Sequence, residues 1–394
     1  MTPAARTQAA IDLLDGIIAA ARDGGASADV LIARGFANRR YAGSKDRRAI
    51  RSLVYDAIRL CGERPESGRA ALLALAGRDV ALAATFDGSG YGPAPLSPGE
   101  PVAQPGVAPG WLLDALAASG IDGDEAAALL GRAPLDLRVN RLKADPAQVS
   151  ANLPDAEPIP GLPDALRLPT DTTVEGTQTS RDGAFEVQDA GSQIVTLAAG
   201  AAPGMRVVDL CAGGGGKTLA LAAMMANQGL LLASDADRSR LSRLMPRAER
   251  AGVSIVETRL LNPGREAEPL ADWAGSADVV LVDAPCSGTG TWRRNPEARW
   301  RLTPARLAKL VETQARLLDV AAALVRPGGA LVHIVCSLLD AEGTDQANAF
   351  LARHSGWSTA PLALPAGTPH GPGMRLTPLS HSTDGFFVAK LMRA

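Results

Sequence analysis

The second half of this chain predicts an α/β fold built on a largely parallel sheet, and three observations carry that expectation. From Gly204 onward, short apolar runs alternate with helix-length amphipathic segments, the pattern of successive strand–helix units. A glycine-rich turn, Cys211-Ala212-Gly213-Gly214-Gly215-Gly216-Lys217-Thr218, separates the first of these strands from its helix. The run Val279–Val282 is continuously apolar and bounded by Asp278, Asp283, Pro285 and Gly288, as expected of a strand buried on both faces.

Taken in order, Val207–Leu210, Leu230–Ala233, Ser254–Thr258, Val279–Val282 and Ala330–Val335 are the expected strands. Helices are expected over Leu219–Met225 and Asp237–Ala251, with a third opening at Pro304 behind Thr303 and stopping at Arg326-Pro327-Gly328-Gly329. The closing GFFVAKLMR, after the turn residues Asp384-Gly385, reads as an antiparallel edge strand. Upstream, Ile11, Leu14, Ile17 and Ile18, and then Leu53, Val54, Ala57 and Ile58, recur at helical spacing, so residues 1–90 form a helical module. The Gly- and Pro-rich stretch that follows serves as a linker, taken as 91–110. Residues 111–188 combine a helix (Trp111–Leu130), a strand (Leu135–Val139), a short helix opened by Asp145-Pro146 and further strand-like material. They form a small α+β insert. The α/β domain proper begins at 189, where Asp189 or Ser192 caps a helix running through Leu197.

Bulk composition excludes more than it selects. With 46% hydrophobic residues, 21% charged residues and a net charge of −2, the whole molecule has no electrostatic pull toward polyanions or membranes. Aromatic residues make up only 4%, few for a protein that grips single strands mainly by stacking. Cys61, Cys211, Cys286 and Cys336 lie far apart with no C-x-x-C spacing, which argues against both a zinc site and a disulfide framework. Neither a signal segment nor a membrane-length apolar run is evident, so a metal-free monomer in a reducing cytoplasm is expected. Cationic residues cluster locally instead: Arg39, Arg40, Lys45, Arg47 and Arg48 in the helical module, and Arg293, Arg294, Arg299 and Arg301 after the Val279–Val282 strand. RNA backbone contact is the functional reading of both groups, against a solvated charged face.

Three cofactor classes use glycine at the first strand–helix corner. A phosphate-cradling loop needs glycine where this chain has Cys211. A dinucleotide fingerprint is approximated by Gly213, Gly215 and Asp235, but Lys217 sits awkwardly for a pyrophosphate. S-adenosylmethionine fits best: the backbone from Cys211 through Ala212, Gly213, Gly214, Gly215 and Gly216 approaches it closely. Lys217 pairs with its carboxylate, and Asp235 accepts its ribose hydroxyls.

Cys286 follows the fourth strand in Asp283-Ala284-Pro285-Cys286, and Cys336 ends the fifth. If those strands are parallel neighbours, both thiols enter one crevice beside the glycine turn. The reaction that calls for such a pair is methylation of a pyrimidine at C5, where a thiolate first adds to C6 to make C5 nucleophilic. Asp283 can then bond the exocyclic amine or a protonated N3 of a cytosine. A cation lowering the thiol pKa would be Lys217, Arg293 or Arg294. The residues alone leave open which cysteine attacks.

At DLCAGGGGKT, SDADRSRL, VDAPCSGTGTWRRNPEARW and IVCSLLDAEGTDQ the chain resembles the NOL1/NOP2/Sun family of RNA cytosine-C5 methyltransferases, in its bacterial RsmB-like (Sun/Fmu) branch. PLDLRVNRLK resembles the family's small RNA-binding insert, FEVQDAGSQ its lead-in to the catalytic domain, and RRYAGSKDRRAIRSLVYDAIR a NusB-like helical module. The resemblance implies a Rossmann-like S-adenosylmethionine-dependent methyltransferase domain acting on a cytosine of RNA, small-subunit (16S) ribosomal RNA being the usual target. It implies Cys336 as nucleophile and Cys286 as the group assisting product release. Two departures stand out. Gly213-Gly214 replaces the family's common Ala-Pro, and ETRLLNPG lacks its usual acid after the third strand, leaving Asn262 for the adenine side.

The rival readings are a transfer-RNA cytosine methyltransferase, a non-catalytic NusB-like RNA-binding assembly factor and a nicotinamide-dependent reductase. Lys217 and the two thiols disfavour the last.

Overall fold

The computed structural model describes residues 1–170 and 172–394. They divide into two compact units, one formed by Met1–Gly131 with Thr291–Thr303, the other by Arg132–Gly290 with Pro304–Ala394.

The first unit is helical. Its principal helices are α1 (Pro3–Asp23), α2 (Ala28–Asn38), α3 (Ser44–Leu60) and α4 (Gly68–Ala76). Helix α1 starts where the Thr2 hydroxyl accepts from the amide of Ala5, and ends at Gly24, whose left-handed φ of 75° suits a residue without Cβ. Leu14, Ile17, Val54 and Ile58, expected from their spacing to face inward, are fully buried together with Ile32 and Ile50.

The segment Pro296–Arg301 is folded into this unit as a 3-10 turn, and its side chains cap helix ends. Glu297 accepts from the amide of Ala28 at the start of α2, 2.9 Å away. Arg299 donates to the carbonyls of Ile58 (2.6 Å) and Cys61 (2.9 Å) at the end of α3. Arg301 reaches the carbonyls of Gly25 (2.8 Å) and Ala26 (2.6 Å) just beyond α1. Acid at a helix start and base at helix ends is the arrangement the backbone dipoles favour. The expectation that Arg299 and Arg301 hold an RNA backbone is therefore corrected, because backbone carbonyls occupy their guanidinium groups. Arg293 is also buried and Arg294 half-buried, which removes Arg293 as a surface contact. The sequence reading assigned Trp111–Leu130 to the insert and Thr291–Thr303 to the α/β domain. Contacts group both segments with the helices.

The second unit holds two sheets. The smaller has the order β2-β3-β1-β4, with β1 Leu135–Val139, β2 Glu157–Ile159, β3 Leu162–Leu168 and β4 Phe185–Val187, all antiparallel. Asp136 on β1 is fully buried, bonds Arg167 of β3 through both oxygens and accepts from the amide of Ala190. That amide opens the helix Ala190–Leu197, whose cap is Asp189.

The larger sheet runs β11-β12-β13-β9-β8-β5-β6-β7, with β10 also pairing β13. Its parallel part is β5 (Arg206–Asp209), β6 (Leu230–Asp235), β7 (Val256–Leu260), β8 (Ala277–Asp283) and β9 (Val325–Val335). An antiparallel extension follows: β10 (Trp357–Thr359), β11 (Thr368–His370), β12 (Gly373–Leu376) and β13 (Phe386–Arg393). GFFVAKLMR is thus β13, an interior strand flanked by others rather than the expected edge. The flanking strands are short, and their sequences offered no long apolar run. The expected single helix over Asp237–Ala251 is broken into Arg238–Leu241 and Leu244–Ala251. Pro246 explains the break, since in a continuous helix its ring would clash with the carbonyl one turn earlier. Strand order reverses at β5, so a crevice opens at the carboxyl ends of β5 and β8.

Candidate active site

Every chemically informative residue of the larger sheet lies at this carboxyl edge. After β5 the chain turns through Cys211–Gly215, with Gly213 and Gly215 at φ of 55° and 88°. At Gly215 a side chain is barred twice over, because a Cβ would also lie 2.7 Å from Leu244. Asp235 at the end of β6 braces the turn: one oxygen accepts from the Gly213 amide at 2.7 Å, the other from the Asp237 amide at 2.6 Å. A second brace comes from the insert, where Glu186 pairs with Arg247, which donates to the carbonyl of Gly214. Beneath the turn, fully buried Asp209 accepts from Thr218 at 2.6 Å, and burial lifts its carboxyl to about 7.

The fit to S-adenosylmethionine rests on donor and acceptor geometry. Each oxygen of half-buried Asp235 has spent one lone pair on an amide and keeps another for a ribose hydroxyl. Asn262, beyond the end of β7, is exposed. Cys211 is no reactive thiolate, because burial and the carboxylates of Asp235, Asp209 and Asp283 push its thiol well up.

Lys217 has a partner that spacing could not foresee. Its Nζ donates to Oδ2 of Asp283 at 2.7 Å, across the crevice between β5 and β8. Burial opposes the ammonium, yet Asp283 outweighs it and the Lys217 pKa rises. This ion pair orients Asp283 at the end of β8 and uses one of the three ammonium donors.

Strands β8 and β9 are parallel neighbours with Asp283 opposite Ile334. Their continuations bring the sulfurs of Cys286 and Cys336 within 3.4 Å of each other. The hydrogen bond to Cys336, together with burial, raises the Cys286 thiol well above its ordinary range. Among the described residues no cysteine is in a disulfide and no group of side chains is arranged to hold a metal ion. No helix of the described chain is long and apolar enough to cross a membrane.

Of the residues singled out in the helical unit, Arg40, Lys45 and Arg48 are exposed. Arg39 is engaged with Asp12 at 2.7 Å, and Arg47 donates to the Ala42 carbonyl and lies over the Phe36 ring. The sequence reading missed Glu342, which is fully buried beside both cysteine turns, and His333, fully buried on β9. An acid in the segment after Cys336 was the available signal, but nothing in its spacing marked it as buried.

A parallel sheet whose glycine turn and strand-end acid face this crevice defines the class of S-adenosylmethionine-dependent methyltransferases. The family model described as 16S rRNA methyltransferase RsmB/F matches residues 197–392. Probable ribosomal RNA small subunit methyltransferase B of Synechocystis is 37% identical over 66% of this chain and 60% of its own. The Xanthomonas campestris ribosomal RNA small subunit methyltransferase B is 37% identical over 73% of this chain and 66% of its own. The chain belongs to the NOL1/NOP2/Sun family, in its RsmB-like branch. It spans about 60% of the length of the first curated relatives it matches. Among solved structures, PH0851 superposes with a TM-score of 0.76 at 25% identity over 99% of both chains. A methyltransferase homologue from Pyrococcus horikoshii gives a TM-score of 0.60 at 26% identity, over 72% of this chain and 99% of that one.

Proposed function

We propose that this protein forms 5-methylcytosine in RNA, with small-subunit (16S) ribosomal RNA as substrate, through a covalent bond between Cys336 and C6 of the target base. The observation that carries the proposal is the 3.4 Å approach of two thiols at the ends of adjacent parallel strands, beside an acid held by a lysine. The curated relatives named as small-subunit ribosomal RNA methyltransferases support the substrate class.

When bound, S-adenosylmethionine supplies an electrophilic methyl group. The Cys211–Gly216 turn and Asp235 would hold it, with Asn262 on the adenine side. Cys336 adds through its thiolate to C6, and the electron pair of the C5–C6 double bond makes C5 nucleophilic. Asp283, oriented by Lys217, accepts from the exocyclic amine or a protonated N3 and stabilises the ring as it is attacked. Once C5 is methylated, its proton passes to a base, the double bond re-forms, and the C6–S bond breaks with its electron pair leaving on Cys336. Cys286 assists by donating to the departing sulfur. The target cytosine must be unpaired or flipped, because C6 is out of reach within a stacked helix. The helical unit serves as a NusB-like RNA-binding module, with Arg40, Lys45 and Arg48 free to meet the backbone.

The test combines mapping with mutagenesis. Bisulfite sequencing of RNA from cells with and without the gene should reveal one ribosomal cytosine that depends on it. A transfer-RNA site instead would redirect the substrate assignment. Cys336→Ala should abolish methyl transfer, whereas Cys286→Ala should accumulate a protein–RNA adduct that survives denaturing gels. Exchanged phenotypes would make Cys286 the nucleophile.

A further inference from the structure

Each cysteine is followed by a serine, and those serines meet beneath the thiols. Ser287 Oγ lies 3.1 Å from Ser337 Oγ, which lies 3.1 Å from Thr289 Oγ1. All three hydroxyls are buried, and they converge on fully buried Glu342. Its Oε1 accepts from the Ser287 amide at 2.8 Å and from Gln314 Nε2 at 3.0 Å, and its Oε2 accepts from the Ser287 hydroxyl. The carboxylate sets the direction of the whole chain. With the Ser287 proton committed to Glu342, Ser337 must donate to Ser287, and Thr289 to Ser337.

The amides of Leu339 and Leu338 then donate to Ser337 and Thr289 at 3.1 and 2.9 Å, and the Gly290 amide donates to the carbonyl of Cys336 at 3.1 Å. Gln314 also donates to the carbonyl of Pro285, directly before Cys286. The turn after β8 is thereby tied to the turn after β9 by a polar lattice centred on one anion. No cation neutralises Glu342 among the described ion pairs, so its charge is felt locally. It bears on Cys286, whose thiol it disfavours as a thiolate.

We infer that Glu342 is a positioning residue that clamps the two cysteine turns together and keeps the proton of the pair on Cys286, leaving Cys336 the more nucleophilic sulfur. This rests on the proposed thiolate chemistry for its meaning, though not for its test. Of the other charged or titratable groups nearby, Lys217 interacts with Cys336 and is paired with Asp283, Asp209 lies beneath the glycine turn, and His333 on β9 bonds the Glu342 carbonyl. Lys217 interacts electrostatically with Cys336, and Glu342 with Cys286. A cysteine with no such asymmetry beside it would compete for the base.

The experiment is alkylation of the full-length protein with iodoacetamide across pH 6 to 10, with each cysteine quantified by mass spectrometry, in the absence of RNA and cofactor. In the native protein Cys336 should react first and Cys286 only at higher pH. Glu342→Gln keeps the shape and removes the charge. It should bring the Cys286 midpoint down by about one pH unit and cut the Cys336-to-Cys286 rate ratio about tenfold. Methyl transfer should fall in kcat with the RNA KM unchanged. If the two alkylation profiles superimpose, Glu342 is only structural and the inference fails. Should Glu342→Gln not fold, Ser287→Ala retains the carboxylate but cuts its hold on the Cys286 turn. It should lower the same ratio at least threefold, and an unchanged ratio overturns the inference. Selective Cys336 alkylation in a protein that methylates no RNA would defeat the proposed function and leave the Glu342 assignment standing.

Discussion

Both units bury charged groups, and Arg299 in one and Glu342 in the other are buried for different ends. In the helical unit Arg299 is fully buried, its terminal nitrogens donate to backbone carbonyls at the end of α3, and burial brings its pKa down to about 9. In the sheet unit Glu342 is fully buried and satisfied by the amide and hydroxyl of Ser287 beyond β8 and by the carboxamide of Gln314 from the helix Pro304–Leu324. The carbonyls around Arg299 are leftovers of helix geometry, so the cation completes an architecture that would otherwise carry orphaned acceptors. The donors around Glu342 are mostly side chains and turn amides that would find water in an open crevice. They are gathered there at a cost in desolvation, and what they gain is the placement of two sulfurs. A buried charge that finishes a helix reads as structure, whereas one that gathers side chains behind reactive atoms reads as chemistry.

That contrast can be broken most directly at Arg299. Arg299→Ala leaves the carbonyls of Ile58 and Arg59 without the guanidinium donor and Cys61 with only the Trp300 indole. It should cost about 3 kcal/mol or more in urea unfolding while leaving the Cys286 and Cys336 alkylation profiles in place. A stability-neutral result would show that water replaces the guanidinium and that Arg299 does not act as a helix cap.

The sheet unit is probed by pH. Asp209 is held near 7 by burial, above its unfolded value of 3.8. The native state therefore keeps a proton that the unfolded chain loses, and stability contributed by this group falls as pH rises from about 4 to about 7. Asp209→Asn should flatten that decline by up to about 1 kcal/mol per pH unit, measured by denaturant melts at several pH values. A decline that persists in the variant would assign the proton elsewhere.

His333 sharpens the comparison with the smallest effect and the opposite sign. Burial takes its imidazole down to about 4 from 6.5, so the unfolded chain binds a proton that the native state refuses. Its contribution is complete above about 6.5 and is lost as pH falls toward 4. His333→Gln should therefore remove part of the acid destabilisation of the protein. Greater acid sensitivity in this variant would mean that the ring is charged in the folded state.

The parallel strands and their glycine turn were legible because apolar runs and positive-φ glycines are local signatures. Val279–Val282 reads as a buried strand, and Asp235 stands at the end of β6. The cysteine pair was legible for a related reason, since two thiols at two successive strand ends meet whenever those strands are neighbours. The basic segment after β8 was misread because composition records charge and not its neighbours. WRRNPEARW looks like a nucleic-acid grip until helix ends absorb Glu297, Arg299 and Arg301. β13 was misplaced at the edge because β10, β11 and β12 are too short to announce themselves.

Sequence alone determined which residues could do chemistry here and at which strand ends they stand, because periodicity and turn residues act over a few positions. Only the tertiary structure decided their partners: Lys217 with Asp283, Glu342 with the serines behind both thiols, Arg299 with the end of a helix far away in the chain. Pairings of that kind depend on which elements become neighbours in space. Hydrogen bonds and burial then select among side chains that a linear pattern leaves equivalent.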